Sequence, residues 1–222
     1  LAVVLLVASA CGGGDGGGAD AGAAPGADAC QARGPGGVVY LNREGGTFAP
    51  GPESSVDNTT SATGEEREVL PHPYSDSAWN LLAECVADGL APFDIELVES
   101  DPGDIDHTEL VFTQESWVGE VGAFSAFSCA GFPRGIAFVF GETFSGDVPG
   151  ECAAALRQLG SVAAGLDHVI GCDYMGLDDD CELRWVDDDL TCGDLDQRDC
   201  VCGGATQNSY QKMLATFGPS CL

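Results

Sequence analysis

Ten cysteines strung between positions 30 and 221 constrain this chain more than any other feature: Cys30, Cys85, Cys129, Cys152, Cys172, Cys181, Cys192, Cys200, Cys202 and Cys221. An eleventh, Cys11, stands apart in a short apolar N-terminal stretch. Ten is even, and this density in an ordinary-sized domain belongs to an oxidising compartment, so five disulfides are expected. Their connectivity stays open, because ten cysteines allow roughly a thousand pairings. The rival reading, structural zinc, needs close thiol pairs such as Cys-x-x-Cys. None occurs, and the only close pair is Cys200-Val201-Cys202. The 222 residues suggest one main domain with appendages, and an apolar fraction of 44% supplies a core. Against 36 acidic residues stand 8 basic ones, a formal charge of −28. Such a surface repels phosphate backbones, which excludes nucleic acid as a partner. Solubility is the plain reading of that charge.

The first ten residues, LAVVLLVASA, form an apolar run too short to span a bilayer, and they read as the core of a signal peptide. Small residues followed by Cys11 resemble the lipobox of bacterial lipoproteins. That resemblance implies cleavage before Cys11 and lipid on its thiol and new amine. Ala8 departs from the pattern, and the run lacks an initiating Met and a basic flank, as a shortened start would. A plain secretory signal is the alternative, and it would leave an odd cysteine. Residues 11–33 then form a Gly/Ala/Asp-rich tether with nothing to build a core. Residues 34–222 are the folded domain.

Within that domain Val38, Val39, Tyr40 and Leu41 read as a first strand. Residues 47–73, rich in Pro, Ser, Thr and Glu, read as a long surface loop. Ser75-Asp76-Ser77 is an N-cap cluster, and Trp79, Leu82, Ala83, Val86 and Leu90 mark one face of a helix of about four turns. Residues 94–99 and 108–113 are strands, 114–134 a loop, and the apolar run 135–140 a buried strand. After the breaker pair Pro149-Gly150 comes a second long helix, with Leu156, Leu159, Ala163 and Leu166 at steps of three and four, stopping at Gly165. Asp178-Asp179-Asp180 and Asp187-Asp188-Asp189 flank Trp185. They lack the spacing of a calcium loop and read as a solvated, disulfide-laced acidic segment. A last helix, capped by Thr206 or Asn208, carries Tyr210, Met213, Leu214 and Phe217 on one face and ends at Gly218-Pro219.

From Gln158 to Met175 the order of residues resembles the metzincin zinc endopeptidases. Their signature, His-Glu-x-x-His-x-x-Gly-x-x-His, sets two His one helical turn apart, a Glu as base on the metal-bound water, a Gly that swings the chain out of the helix, a third His, and then a turn carrying Met. Here Gly165, His168 and Met175 stand in the places of the Gly, the last His and the turn Met. Gln158 and Val162 replace the first two His, and Leu159 replaces the Glu. The resemblance therefore implies the fold and argues against the activity. It implies an α+β domain with a twisted mixed sheet of about four strands, two long helices and a disulfide-rich C-terminal part ending in a helix. It also implies that the face carrying positions 158 and 162 opens on a cleft, although Leu159 and Val162 equally suit apolar refilling. His168 is then a vestigial ligand bonded locally, and no cofactor is expected.

Other chemistry finds little footing. His72, His107 and His168 lie far apart in sequence, and none is paired at i, i+4. No Gly-x-Ser-x-Gly elbow occurs, since Gly160-Ser161 continues as Val-Ala-Ala. The sequence thus reads as an exported protein, lipid-anchored through Cys11 in a bacterial envelope at the outer membrane or cell surface, with a non-catalytic domain that binds a peptide or protein. The alternatives are an active secreted hydrolase with a non-standard site, where zinc would return as cofactor, and a purely structural surface module.

Overall fold

The structure is a computed structural model describing residues 37–177 and 182–220. The leader, Cys11, the tether, Cys30, the first Asp run, Cys181 and Cys221 lie outside the described residues.

Five strands make the main sheet: β1 (Gly37–Asn42), β5 (Ile95–Val98), β6 (Thr108–Thr113), β7 (Ala123–Ser125) and β8 (Ile136–Phe140), in the order β5-β1-β6-β8-β7. The first four of that order run parallel, and β7 joins the edge antiparallel to β8. Alternation sorts the buried strand residues onto two faces. Val39, Leu41, Leu110, Phe112, Ala137 and Val139 face one way, Val111, Ile136, Phe138 and Phe140 the other. With both faces covered, β6 and β8 are buried along their whole length.

The first face is covered by α1 (Asp76–Leu90) and α3 (Val148–Ala164). Ser75 caps α1 by accepting a bond from the Ala78 N–H, and Trp79, Leu82, Val86 and Leu90 form its buried stripe. A short helix, α2 (Gly141–Phe144), leads from β8 into α3. Pro149 and Gly150, which read as a stop before the helix, lie inside the first turn of α3, where a missing N–H costs nothing. The α1–α3 contact is tied by Cys85–Cys152. A second tie runs from His72 to Glu151 across 3.0 Å, with both side chains fully buried and the imidazole among Tyr74, Trp79 and Phe112.

Residues 47–73 are not the surface loop their composition suggests. They hold β2 (Gly46–Pro50), β3 (Thr59–Thr60) and β4 (Arg67–Val69), a small sheet laid over the second face. Phe48 and Val69 enter the core there against Phe138, Val111 and Phe140. One buried apolar residue in β2, one in β4 and none in β3 leave no periodic trace in a Ser/Thr-rich stretch. Residues 114–134 likewise hide β7, so the main sheet has five strands rather than about four.

The C-terminal part contributes a two-stranded ladder, β9 (Leu190–Thr191) and β10 (Thr206–Gln207), and α4 (Ser209–Phe217), capped by Asn208. Met213 and Phe217 bury its inner face. Among the described residues, Cys129–Cys202 pins this part to the loop after β7, Cys192–Cys200 closes a local loop, and Cys172 is also disulfide-bonded. With so few ladder bonds of its own, this part depends on these links. Each native bridge is typically worth ~2–4 kcal/mol. Reductant should therefore lower the melting temperature strongly, as followed by circular dichroism, and an unchanged melting curve would show the bridges to be dispensable.

Candidate functional site

The helix α3 fixes where a site can form, because its end decides how the chain leaves the core. Gly165 caps it in the left-handed region at φ 61°, and a Cβ there would lie 2.5 Å from Ser128 O. Only glycine fits that turn. The chain then passes Leu166, Asp167 and His168 and doubles back, so that Val169 N–H donates to Met175 O at 3.1 Å. Met175 is fully buried, and a Cβ on Gly160 would sit 2.8 Å from its sulfur. The missing side chain at Gly160 lets this Met turn pack directly under the helix. Asp173 holds the turn by accepting from the Met175 and Val186 N–H groups, both at 2.8 Å, and burial pushes its carboxyl above the ordinary range.

The positions singled out in the sequence separate in space. Leu159 and Val162 are fully buried in the main core. Phe132 closes over Val162, donating its N–H to Val162 O at 2.8 Å, while Gly135 lies against the Val162 methyl. The expected open face is therefore closed at these positions by apolar packing. Gln158 is only half-buried, and its Oε1 accepts from Ser125 Oγ on β7 at 2.7 Å. His168 points elsewhere, its Nδ1 against the Asp194 carboxylate with the ring about a third exposed. These residues do not fit zinc: two are hydrocarbon, the amide is engaged, and a single imidazole remains. Among the described residues, the sole cluster of potential ligands joins Asp167 to Cys192 and Cys200, whose sulfurs are bonded to each other. His72 and His107 are bonded elsewhere, the first to Glu151 and the second to Ile105 O.

A cleft of about 330 Å³ does open at the end of α3, lined by Phe127, Ser161, His168, Asp194, Arg198 and Val201, with Leu166 and Asp167 at its base. One wall is Phe127, two residues beyond β7, and the other comes from Asp194, Arg198 and Val201 of the Cys192–Val201 segment. Asp167 is the joint between them. Its carboxylate accepts from Nη1 and Nη2 of Arg198 and from the Val201 N–H, and Gln207 grips its backbone at N–H and C=O, each at 2.9 Å. Burial alone would raise its pKa; the bonds from Arg198, Val201 and His168 outweigh it and bring it from 3.8 to about 2. The His168–Asp194 pair is the orientation a general base uses, but the nearby hydroxyl, Ser161 Oγ, donates to Leu166 O at 3.2 Å. Polar side chains and two exposed apolar ones make a surface suited to holding a ligand.

A larger cavity, about 640 Å³, lies at the other end of α3 over Cys85–Cys152. Asp147, Arg157 and Glu182 are its charged lining residues, and Arg157 already donates to the Tyr174 and Gly176 carbonyls. Asp167, Asp194 and Arg198 were not legible as a site in the sequence. They converge only through the fold, and the one available signal was the tight Cys192–Cys200 spacing that confines the loop.

Two outcomes follow from this geometry. Changing Gln158→His, Leu159→Glu and Val162→His together should not create a zinc site, because a carboxylate and an imidazole buried in hydrocarbon cost several kcal/mol. Circular dichroism should show a destabilised or unfolded variant, and a folded variant with stoichiometric zinc would refute the packing argument. Asp167→Asn should cost ~1–3 kcal/mol near neutral pH. The native carboxyl has a depressed pKa, so its contribution is complete above pH ~4 and is lost as pH falls toward 2, where the variant and wild-type stabilities should converge. Urea titrations across that range would detect a gap that failed to close.

No family model, no curated protein and no solved structure matches this chain.

Proposed function

We propose that the chain is a non-catalytic binding module on a metzincin-like scaffold that holds an extended peptide in the cleft beside β7. It is displayed on a bacterial envelope by lipid on Cys11. Supporting the scaffold are the order strand, helix, strands, helix, the exit at Gly165 and the buried Met175 under α3. Against catalysis stands Leu159, a fully buried hydrocarbon in the place of the base.

One observation carries the binding reading. An edge strand of the sheet, β7, leads within two residues into the exposed apolar lining of the cleft. β7 is the last strand of the sheet, and Phe127, 41% exposed, follows it along the cleft wall. Gly122 O accepts from Phe140 N–H, so along this antiparallel pair residues 123 and 125 turn their N–H groups to the open edge. An extended peptide adds to such an edge through main-chain bonds, and side-chain pockets then select it.

A random decapeptide library panned on the intact chain should yield binders. Ala123→Pro removes one outward donor and leaves the β8 pairing in place. It should weaken those binders about tenfold or more with little change in melting temperature. Binding unaffected by that proline would place the peptide somewhere other than the β7 edge.

A further inference from the structure

We propose that the loop from Cys192 to Val201 is the anchor that selects the cleft's ligand, and that the ligand is a basic, amphipathic peptide in which Lys or Arg alternates with large apolar residues. The inference rests on the cleft being a peptide site and adds the chemistry of the peptide. The loop is held at both ends. Cys192 and Cys200 are buried and bonded to each other, Gly193 N–H donates to His168 O at 3.0 Å, and Arg198 N–H donates back to Cys192 O at 2.9 Å. Between those ends every side chain from 194 to 199 is exposed. Leu195 is 90% exposed at the tip, and Val201, 63% exposed, follows on the cleft wall opposite Phe127. A leucine bared on a pinned loop is preorganised for burial by a partner, since little freedom remains to be lost on docking.

Charge chooses between the possible partners. Asp194, Asp196 and Asp199 surround Leu195. Six of the seven basic side chains among the described residues are engaged within the chain. Arg43 meets Asp76, Arg67 lies over Trp117, Arg134 meets Asp106, Arg157 holds carbonyls, Arg198 is locked to Asp167, and Lys212 donates to Gly165 O. The net charge of −28 therefore acts outward. It repels a second copy of the chain and an anionic lipid surface, and it attracts cations. A ligand that covers Leu195, Val201 and Phe127 while meeting those carboxylates carries apolar and basic residues together.

The test uses the intact chain and three labelled peptides of equal length, built from Lys and Leu, from Glu and Leu, or from Lys and Ser. Fluorescence anisotropy should show binding of the Lys/Leu peptide, weaker binding of Lys/Ser by about tenfold or more, and none of Glu/Leu. Leu195→Ser with Val201→Ser should weaken the Lys/Leu peptide by about tenfold or more and leave Lys/Ser unchanged. Both positions are exposed, so the double variant should keep the wild-type melting curve. Equal Lys/Leu affinity in wild type and double variant would overturn the proposal by showing only diffuse attraction. Equal binding of Glu/Leu would remove the charge argument. Leu195-dependent self-association in sedimentation would make the patch a self-interface and likewise overturn it. The Ala123→Pro variant separates this inference from the reading it rests on. Affinity sensitive to Ala123 but not to Leu195 keeps a peptide on the β7 edge and rejects the anchor. Absence of binding of any of the three peptides to the wild-type chain rejects the cleft itself and the anchor with it.

Discussion

The near-total burial of α3 is the constraint on which the rest of the structure depends. A helix covered by the sheet on one side, α1 on another, and the Met turn and α4 below must be narrow wherever its neighbours come close. The sequence supplies Ala154, Ala155, Gly160, Ser161, Ala163 and Ala164 for that purpose, and bulk at Leu156, Leu159 and Val162 where the spaces are wider. The same packing decides the chemistry. A metal-binding face needs polar side chains lining a partly wet space, while Leu159 and Val162 are closed over by core hydrocarbon. At these positions stability and a metal site are alternatives, because a buried carboxylate without a partner is more costly than an apolar side chain that fills the space.

With that face closed, polar organisation moves to the helix end. Asp167 receives bonds from a guanidinium and from backbone N–H groups of two segments, and Gln207 clasps its peptide on both sides. Asp167 therefore joins the exit of α3 to the Cys192–Val201 segment through its carboxylate and to β10 through its backbone. Held as a charge by these bonds, it positions the loop over the cleft rigidly enough for side chains on two separate walls to form one surface.

The long elements were legible because their burial is periodic. α1 shows its stripe from Trp79 to Leu90, β8 is a run of five buried residues, and Gly165 marks the exit of α3 through a backbone conformation that other residues resist. The short strands β2, β4 and β7 escaped because each contributes one or two residues to a core formed by other segments, and β3 because it is a pair of threonines. Phe48 reads as core only once Phe138 lies 5.2 Å from it. The cleft was half legible. Gly165, His168 and Met175 come in the order the sequence suggested, yet the partners of His168 and Asp167 lie some thirty residues away, and no local pattern announces them. Position 162 shows the limit most clearly. A valine on a helix face reads as core or as the wall of an open cleft, and the decision belongs to Phe132 and Gly135, which approach from a loop whose path depends on β7.

The placement of the described disulfides follows from the same division of labour. Cys85–Cys152 joins two helices already in contact, whereas Cys129–Cys202 and Cys192–Cys200 join loops that bury little hydrocarbon of their own. Hydrophobic burial can hold α3 against the sheet, but it cannot hold a loop whose exposed side chains include Asp194, Leu195, Asp196 and Asp199. Carboxylates at this spacing repel one another, and the repulsion favours a splayed, fluctuating loop. A covalent link across Cys192 and Cys200 removes that freedom independently of salt and pH. The Asp167–Arg198 pair supplies the one cation the loop keeps, and it directs that cation inward. The acidic side chains and Leu195 are left facing outward on a fixed frame, so the order of this surface comes from covalent and charge constraints where the rest of the fold relies on its core.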